Sequence, residues 1–231
     1  DGISIGAING LSLFSDDIEK LKKTWLSIKS PNDIFTPLSS SPIFNHYLSY
    51  IYSFSNMSVF DNISLVNIIK NYNIDKSKMN KYNCVTVDLD KGDCIYINGN
   101  HEKIIDYVIA SSSPWIVTPP IQIDNTMYTD GGLMEVYPTK NISSSQADII
   151  LLVGYDNNYI TKEGETGENI FSYLSRIINI SMFNNMQKNI NELNMFTETK
   201  NVIKVDNVMD VDILHFNEEQ LRYWFEQKLS S

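Results

Sequence analysis

The stretch Gly2-Ile3-Ser4-Ile5-Gly6 places one serine midway between two glycines at the start of the chain. This spacing is typical of a nucleophile elbow, a sharp turn that leads from a strand into a helix. Side chains in place of Gly2 and Gly6 are expected to clash in such a turn. The turn itself lifts the serine hydroxyl clear of the sheet. The Ile5 N–H then points to where an oxyanion would form. A glycine-rich turn with a passive serine has the same pattern, so this stretch alone leaves both interpretations open.

A second stretch, Tyr128-Thr129-Asp130-Gly131-Gly132, puts an acid at the end of a predicted strand. The two glycines after Asp130 allow the backbone to turn tightly. By itself, an Asp-Gly-Gly sequence indicates only a turn. The acid becomes informative in combination with the serine stretch and with further motifs along the chain.

Taken together, the motifs of the chain resemble those of the patatin-like phospholipases. They are, in order, Gly-x-Ser-x-Gly-Ala-x-Asn from Gly2, Ala110-Ser111-x-Ser113-Pro114, and Tyr-x-Asp-Gly-Gly from Tyr128, with Pro138 after them. The resemblance extends to a hairpin over Val85 to Tyr96, a core strand over Ala147 to Val153 and a closing segment, Leu214-His215-Phe216-Asn217. It therefore implies an α/β fold: one three-layer α/β/α domain over residues 1–231 with a mostly parallel central sheet.

The resemblance also implies a lipid acyl hydrolase that works with a Ser-Asp dyad and without a cofactor or a metal ion. Ser4 would be the nucleophile that forms an acyl-enzyme, and Asp130 the proton acceptor that later activates water. Partial burial is expected to raise the pKa of a carboxylate in this role. One oxyanion donor would be the backbone N–H of Ile5. The motif glycines are Gly2, Gly6, Gly131 and Gly132, and the implied substrate is a phospholipid or a lysophospholipid.

Two features depart from the pattern of the family. Nothing in the chain matches the glycine-rich oxyanion loop that precedes the elbow in the family, because the sequence begins at the elbow. We therefore expect a domain without its first strand and this loop, and any targeting signal upstream is not visible. After Asp-Gly-Gly, many members carry an Asn just before the proline, whereas Val136 and Tyr137 stand here. This difference is expected to weaken hydrogen bonding around the acid loop without touching the dyad.

The composition limits the classes of partner. Eighteen basic and 28 acidic residues among 231 give a formal net charge of −10. This charge argues against a nucleic-acid binder, which needs a basic surface to release phosphate counterions. It also removes an electrostatic route to anionic membranes, although hydrophobic insertion leaves peripheral membrane contact open. The apolar runs are far shorter than the about 20 residues of a membrane-spanning helix, so we expect a cytoplasmic or peripheral membrane protein.

Apolar periodicity predicts alternating helices and strands, and therefore an α/β sheet with an added hairpin. The predicted helices are a short one over Gly6 to Phe14, one capped by Ser15 that buries Ile18, Leu21, Trp25 and Ile28, one from Asp61 to about Tyr72, one over Glu102 to Ala110, a long one after Gly167 and a last one capped by Asn217. The predicted strands are Tyr82 to Asp88, Cys94 to Ile97, Ile121 to Tyr128, Ala147 to Val153 and Val202 to Val205.

Alternative functions remain open at this stage. A Ser-His-Asp triad esterase would use His215, since the chain order Ser, Asp, His permits it. A catalytically inactive patatin-like domain would instead bind lipid or another protein. The aromatic stretch from Phe44 to Phe60 fits an acyl-chain channel and core packing equally well.

Other clusters have simpler explanations. Asp88, Asp90 and Asp93 suggest a calcium loop, but Gly92 falls one place early for an EF-hand, so a solvated hairpin turn is the preferred interpretation. Two cysteines do not make a disulfide scaffold or a zinc module. Cys84 and Cys94 are expected to lie opposite one another on the hairpin as a pair of buried thiols.

Overall fold

The computed structural model describes residues 1–14, 18–37, 58, 60–72, 74–115, 117–142, 144–155, 170–195, 201–207 and 219. The chain divides into two compact units: unit 1 comprises residues 1–130 and those from 211 onward, and unit 2 comprises residues 131–210. The predicted caps at Ser15 and Asn217 lie outside the described residues, as does almost all of the aromatic stretch that starts at Phe44.

The described part of unit 1 alternates helices and strands. Its helices are α1 (Ile5–Phe14), α2 (Ile18–Ser27), α3 (Ile63–Lys70) and α4 (Ile104–Ser111). Its strands are β1 (Gly2–Ile3), β2 (Thr36–Pro37), β3 (Phe60–Asp61), β4 (Asn83–Asp88), β5 (Asp93–Asn98), β6 (Ile121–Ile123) and β7 (Thr126–Asp130). Strands β2 and β3 form a separate antiparallel pair.

Strand β4 lies at the centre of a five-stranded sheet. One edge of β4 pairs with β5 along its full length, in antiparallel register. The other edge is shared between two strands. Strand β1 runs parallel to the first half of β4 and ends where Ile3 pairs with Val85. Strand β7 runs antiparallel to the second half and ends where Asp130 pairs with Thr86.

The core of unit 1 fixes the turn between β1 and α1. Helix α1 buries Ala7, Ile8 and Leu11, which lie on one face of the helix. They pack in one cluster with Cys84 of β4 and with apolar residues of α3 and α4. Burying a large aliphatic side chain stabilises a fold by about 1.5–3 kcal/mol, so this cluster holds the start of α1 against the sheet.

Unit 2 is built around one parallel strand pair. Strands β8 (Ile149–Tyr155) and β9 (Asn201–Asn207) pair in parallel, and α5 (Ile170–Asn194) lies between them in the chain. Such a pair needs a crossover connection, which usually contains a helix. Its core consists of Tyr137, Ile142, Leu152, Met186 and Leu193.

The α/β class predicted from the sequence is confirmed, and the five-stranded sheet contains both parallel and antiparallel pairs. Among the described strands, β1–β4 and β8–β9 are the parallel pairs, and the remaining pairs are antiparallel. The sequence predicts a more parallel sheet than this. The β4–β5 hairpin is the one that the sequence predicts, so the difference arises from β6 and β7. These strands form a second hairpin, in which a short turn can connect only antiparallel strands, and β7 pairs antiparallel with β4.

Three local predictions are wrong. Ile18, which the sequence predicts to be buried by α2, is the first residue of that helix and is 58% exposed. The segment predicted as one strand, Ile121 to Tyr128, is a hairpin, because the backbone at Asp124 turns with a positive φ of 56°. Cys84 and Cys94 do not lie opposite one another, since the register pairs Cys84 with Ile97 and Cys94 with Val87. The two cysteines do not form a disulfide with each other.

Candidate active site

Ser4 occupies the turn between strand β1 and helix α1, where the sequence predicts a nucleophile elbow. Its φ is +54°, in the left-handed region that residues with a side chain rarely adopt. Holding a serine there costs about 1–3 kcal/mol. Such strain is common at functional sites, and it distinguishes Ser4 from the serine of an ordinary strand-to-helix connection.

The close approach of β1 to α1 explains one of the two motif glycines. A Cβ at Gly2 would lie 2.5 Å from the Gly6 carbonyl oxygen and 2.8 Å from the Ala7 Cα, so the predicted clash at Gly2 is confirmed. The predicted clash at Gly6 is wrong, because a Cβ there meets nothing within 4 Å. Gly6 takes part in the close approach through its backbone carbonyl oxygen, which faces Gly2.

The backbone of Ser4 is hydrogen-bonded on both sides. Its carbonyl oxygen accepts the N–H of Ala7 at 2.9 Å, which starts the first turn of α1. It also accepts the hydroxyl of Ser112 at 3.0 Å, and the Ser4 N–H donates to Ser111 Oγ at 2.9 Å. The left-handed conformation is therefore held by contacts from the end of α4 as well as by local turns.

Asp130 is the last residue of β7 and is buried, with 7% of its surface exposed. Its N–H donates to the Ser113 carbonyl oxygen at 3.2 Å, and the Thr129 hydroxyl donates to the same oxygen at 2.8 Å. Gly131 and Gly132 begin the 3₁₀ turn Gly131–Leu133 that follows the strand. The predicted acid at a strand end, followed directly by a tight turn, is confirmed.

The shared edge of β4 brings the ends of β1 and β7 together. Ile3 pairs with Val85, and Asp130 pairs with the next residue of β4, Thr86. Consecutive residues of a strand are about 3.3 Å apart. Ser4 directly follows Ile3, so the two motifs, which are distant in sequence, meet at one point of the sheet.

Ile5 is the first residue of α1 and is 52% exposed. The N–H groups of the first helical turn have no acceptor within their helix, and the helix dipole makes this end favourable for negative charge. The site thus contains the Ser4 hydroxyl on a strained turn, the carboxyl group of buried Asp130 and the helix N-terminus at Ile5. This is a combination that suits acyl transfer.

Comparison with protein families gives an independent result. The sequence model of the family described as patatin-like phospholipase matches residues 1–141, which is more than half of the chain. The chain belongs to the patatin-like phospholipase family. Membership implies hydrolase activity on lipid esters and confirms the resemblance seen in the motifs. A search of curated protein sequences finds no significant match.

The patatin-like match ends shortly after the acid loop. It includes Ser4, the serines at the end of α4 and Asp130. The prediction of a single acyl hydrolase domain over residues 1–231 stays a prediction.

In this patatin-like chain the loop after Asp-Gly-Gly is well hydrogen-bonded, contrary to the expectation from Val136 and Tyr137. The side-chain oxygen of Asn189 accepts the N–H groups of both residues, at 3.1 and 3.3 Å. Asn185 donates its amide to the Leu133 carbonyl oxygen at 3.0 Å. The loop thus receives from helix α5 the polar partners that its own sequence lacks.

The cysteine nearest to the elbow does not compete with Ser4 as a nucleophile. Cys84 is the register partner of Gly2 and is fully buried. Desolvation raises the pKa of its thiol to about 12. The thiol therefore stays protonated near neutral pH, whereas the reactive form of a cysteine is the thiolate.

The acidic hairpin has a structural explanation. Desolvation tends to raise the pKa of buried Asp88, but hydrogen bonds from the backbone and side chain of Lys91 outweigh it and leave the pKa below its usual value. Its carboxylate also accepts the N–H of Asp90 at 3.0 Å, as a turn-forming aspartate does. Within the described ranges, no group of three or more His, Cys, Asp or Glu residues is arranged to hold a metal ion.

The remaining candidates are the three histidines, of which the structure describes His101. The Nδ1 atom of exposed His101 accepts the Lys103 N–H at 3.1 Å, and its ring packs edge-on against Tyr107. His46 and His215 lie outside the described residues, so the triad alternative stays open. In the parts of the chain that the structure describes, no helix is long and apolar enough to cross a bilayer.

The sequence reasoning missed the role of Ser111, Ser112 and Ser113. They belong to a motif that carried the family resemblance, yet their spacing suggests no chemistry. Their position at the end of a helix gave no sign that they contact two other motifs. Only the folded arrangement of α4 against β4 reveals these contacts.

Proposed function

We propose that this chain is a lipid acyl hydrolase that cleaves carboxylic ester bonds of phospholipids or lysophospholipids. Ser4 is the nucleophile and Asp130 the base in this proposal. The observation that carries it is the register on β4, where the strained serine directly follows the end of β1 and the buried acid is the last residue of β7, at a neighbouring position. Family membership supports the same class of substrate.

In the first half of the reaction, Ser4 Oγ attacks the ester carbonyl carbon while Asp130 accepts its proton. The carbonyl oxygen becomes an oxyanion, which the Ile5 N–H at the start of α1 stabilises. Collapse of this intermediate breaks the ester C–O bond. Asp130 returns the proton to the departing alcohol oxygen, and an acyl-enzyme remains on Ser4.

In the second half, Asp130 removes a proton from a water molecule as the water attacks the acyl carbon. The second tetrahedral intermediate collapses with release of the free fatty acid. The proton passes from Asp130 back to Ser4 Oγ, which restores the starting state. The single base acts in both halves, so no histidine is required.

Hydrolysis assays on the protein test the dyad. Ser4→Ala and Asp130→Asn are each expected to lower kcat for a short-chain ester and for phosphatidylcholine in mixed micelles by about 10³-fold or more. The double variant should be little worse than either single one, because the two residues act as a unit. Ser27→Ala and Asp90→Asn, at exposed positions, serve as matched controls and should keep normal rates.

A fluorophosphonate probe provides a second measurement, since it labels an activated serine covalently. Labelling should map to Ser4 and disappear in Ser4→Ala. Full activity in Ser4→Ala would refute the proposal, and a wild-type protein without turnover or labelling would favour an inactive lipid-binding domain. His215→Ala distinguishes the Ser-Asp dyad from the Ser-His-Asp triad. The dyad predicts a near-normal kcat in this variant, and a large loss of kcat would favour the triad.

A further inference from the structure

We propose that Ser111, Ser112 and Ser113, here called the serine clamp, are positioning residues that hold the nucleophile elbow and the acid strand in a fixed relation. The inference rests on the proposed function of Ser4 and Asp130. Its basis is that one three-residue segment at the end of α4 contacts the backbone of both motifs. The clamp touches neither substrate nor reacting atoms in this proposal and acts through the two residues that do.

Ser111 bridges the elbow to the centre of the sheet. Its hydroxyl is fully buried, accepts the Ser4 N–H at 2.9 Å and donates to the Val85 carbonyl oxygen at 2.6 Å. A serine hydroxyl has a single hydrogen to donate. Because that hydrogen is committed to Val85, the lone pairs of Ser111 Oγ are oriented toward Ser4. The bridge lies where the β1–β4 ladder ends, at the pair Ile3 and Val85.

Ser112 binds the carbonyl group of the same residue, Ser4. Its hydroxyl donates to the Ser4 carbonyl oxygen at 3.0 Å, an oxygen that also accepts from Ala7 and Ile8 in the first turn of α1. Two consecutive serines thus bind the N–H and the carbonyl of the one residue in the elbow that has a positive φ. Such strained conformations persist only where surrounding contacts hold them in place. The two serine hydroxyls provide part of these contacts.

Ser113 extends the clamp to the acid. Its carbonyl oxygen accepts both the Asp130 N–H and the Thr129 hydroxyl. Its own hydroxyl donates to the Ile109 carbonyl oxygen at 2.7 Å and accepts from the Asn62 amide at 3.1 Å. The end of α4 is therefore tied to α3 as well, which leaves little freedom for the acid strand to shift relative to the elbow.

The expected consequence is a loss of catalytic rate and not of substrate affinity. Removing a hydroxyl that fixes Ser4 lets the elbow relax, and a displacement of about 1 Å in a catalytic group costs roughly 10²-fold in rate. Ser112→Ala and Ser111→Ala should therefore lower kcat for a short-chain ester about 10- to 100-fold with little change in KM. Fluorophosphonate labelling of Ser4 should slow by a similar factor.

The experiment uses the full protein with Ser111→Ala, Ser112→Ala and the conservative variant Ser112→Thr, which keeps a hydroxyl. The control is Ser12→Ala, a fully buried serine farther along α1. Rates are compared at equal folded fraction, determined by thermal unfolding. The clamp predicts a lowered kcat in both alanine variants, recovery in Ser112→Thr and a normal kcat in Ser12→Ala.

Several outcomes would overturn the clamp. One is a kcat within twofold of the wild-type value in both alanine variants. Another is a loss of kcat/KM that comes entirely from a raised KM. The third is an equal loss of kcat in Ser112→Thr and Ser112→Ala. These results leave the proposed function standing as long as Ser4→Ala is inactive. If Ser4→Ala itself is active, the proposed function fails first. If Ser111→Ala does not fold, the comparison of the two Ser112 variants decides the question.

Discussion

At the residue scale, the elbow depends on how closely strand β1 approaches helix α1. Gly2 is buried, and its Cα faces the backbone of the first helical turn, so any side chain at this position would push the two elements apart. The positive φ of Ser4 belongs to the same turn. The two glycines of the Gly-x-Ser-x-Gly pattern are therefore not equivalent. Gly2 is required by the close approach of the backbone, whereas a Cβ at Gly6 would meet open space.

This asymmetry predicts opposite results for two substitutions to alanine. Gly2→Ala forces a Cβ to within 2.5 Å of a backbone oxygen, which cannot rotate away. We expect the free energy of unfolding to fall by about 1–3 kcal/mol, as for other overpacked sites. Gly6→Ala enters open space in a helix, where alanine is favoured over glycine by up to about 1 kcal/mol.

Urea unfolding of the two variants, followed by circular dichroism, provides the measurement. Gly6→Ala should match or exceed the stability of the wild type, and Gly2→Ala should unfold at a clearly lower urea concentration. Equal stability of the two variants would contradict the close packing at Gly2.

At the element scale, polar side chains of α5 hold the loop that follows the acid motif. Asn185, Asn189 and Glu192 are spaced so that they lie along one face of the helix. The Thr139 hydroxyl donates to the Glu192 carboxylate at 2.7 Å, and both asparagines bond to the backbone of the loop. Asn189 is 4% exposed, so its hydrogen bonds are shielded from water.

Asn189→Ala is expected to destabilise unit 2 by about 1–3 kcal/mol, because it leaves the N–H groups of Val136 and Tyr137 without their acceptor. Hydrogen exchange measured by mass spectrometry should show faster exchange in the peptide that contains these two amides. Asn184→Ala, at an exposed position of the same helix, is the matched control and should change stability by less than about 0.5 kcal/mol. Unchanged protection in Asn189→Ala would mean that the loop is held by other contacts.

The accuracy of the sequence predictions also varies from element to element. The positions of helix α2 and of the β4–β5 hairpin were predictable because apolar spacing and a Lys91-Gly92 turn are local signals. The burial of Ile18 was not, because it depends on what packs against the start of the helix. The β6–β7 hairpin was not, although Asp124-Asn125 is a pair that tolerates a positive φ. The apolar residues on either side of that pair suggest one strand, but the positive φ of Asp124 turns the chain back on itself.

At the scale of the whole molecule, the site depends on a register that no local pattern encodes. The sequence identified Ser4 and Asp130 as separate motifs, and their joint significance came from a family resemblance. That β1 and β7 end at neighbouring positions on one edge of β4 follows from the pairing of strands far apart in the chain. The serine clamp was unpredictable for the same reason, since a Ser-Ser-Ser segment has no characteristic spacing of its own.

The net charge of −10 belongs to the molecule as a whole and leads to a prediction about lipid surfaces. If the chain hydrolyses phospholipids, it must approach a membrane, and a strongly acidic protein is repelled by anionic lipid. Hydrolysis of phosphatidylcholine in vesicles should therefore slow several-fold when an anionic diether lipid, which has no ester to cleave, is added at low salt. The effect should shrink as salt rises, because the Debye length falls from about 30 Å at 0.01 M to about 3 Å at 1 M.

The measurement compares release of fatty acid from neutral and anionic vesicles at both salt concentrations. A water-soluble neutral ester is the control, and its rate should depend on neither salt nor vesicle charge, since no charged surface is approached. Ser4→Ala gives the background. Faster hydrolysis on anionic vesicles at low salt would contradict the prediction, because it would require a local basic surface around the site that outweighs the total charge. In that case the local distribution of the 18 basic residues would govern the approach to the membrane, and the net charge that they form with the 28 acidic residues would not.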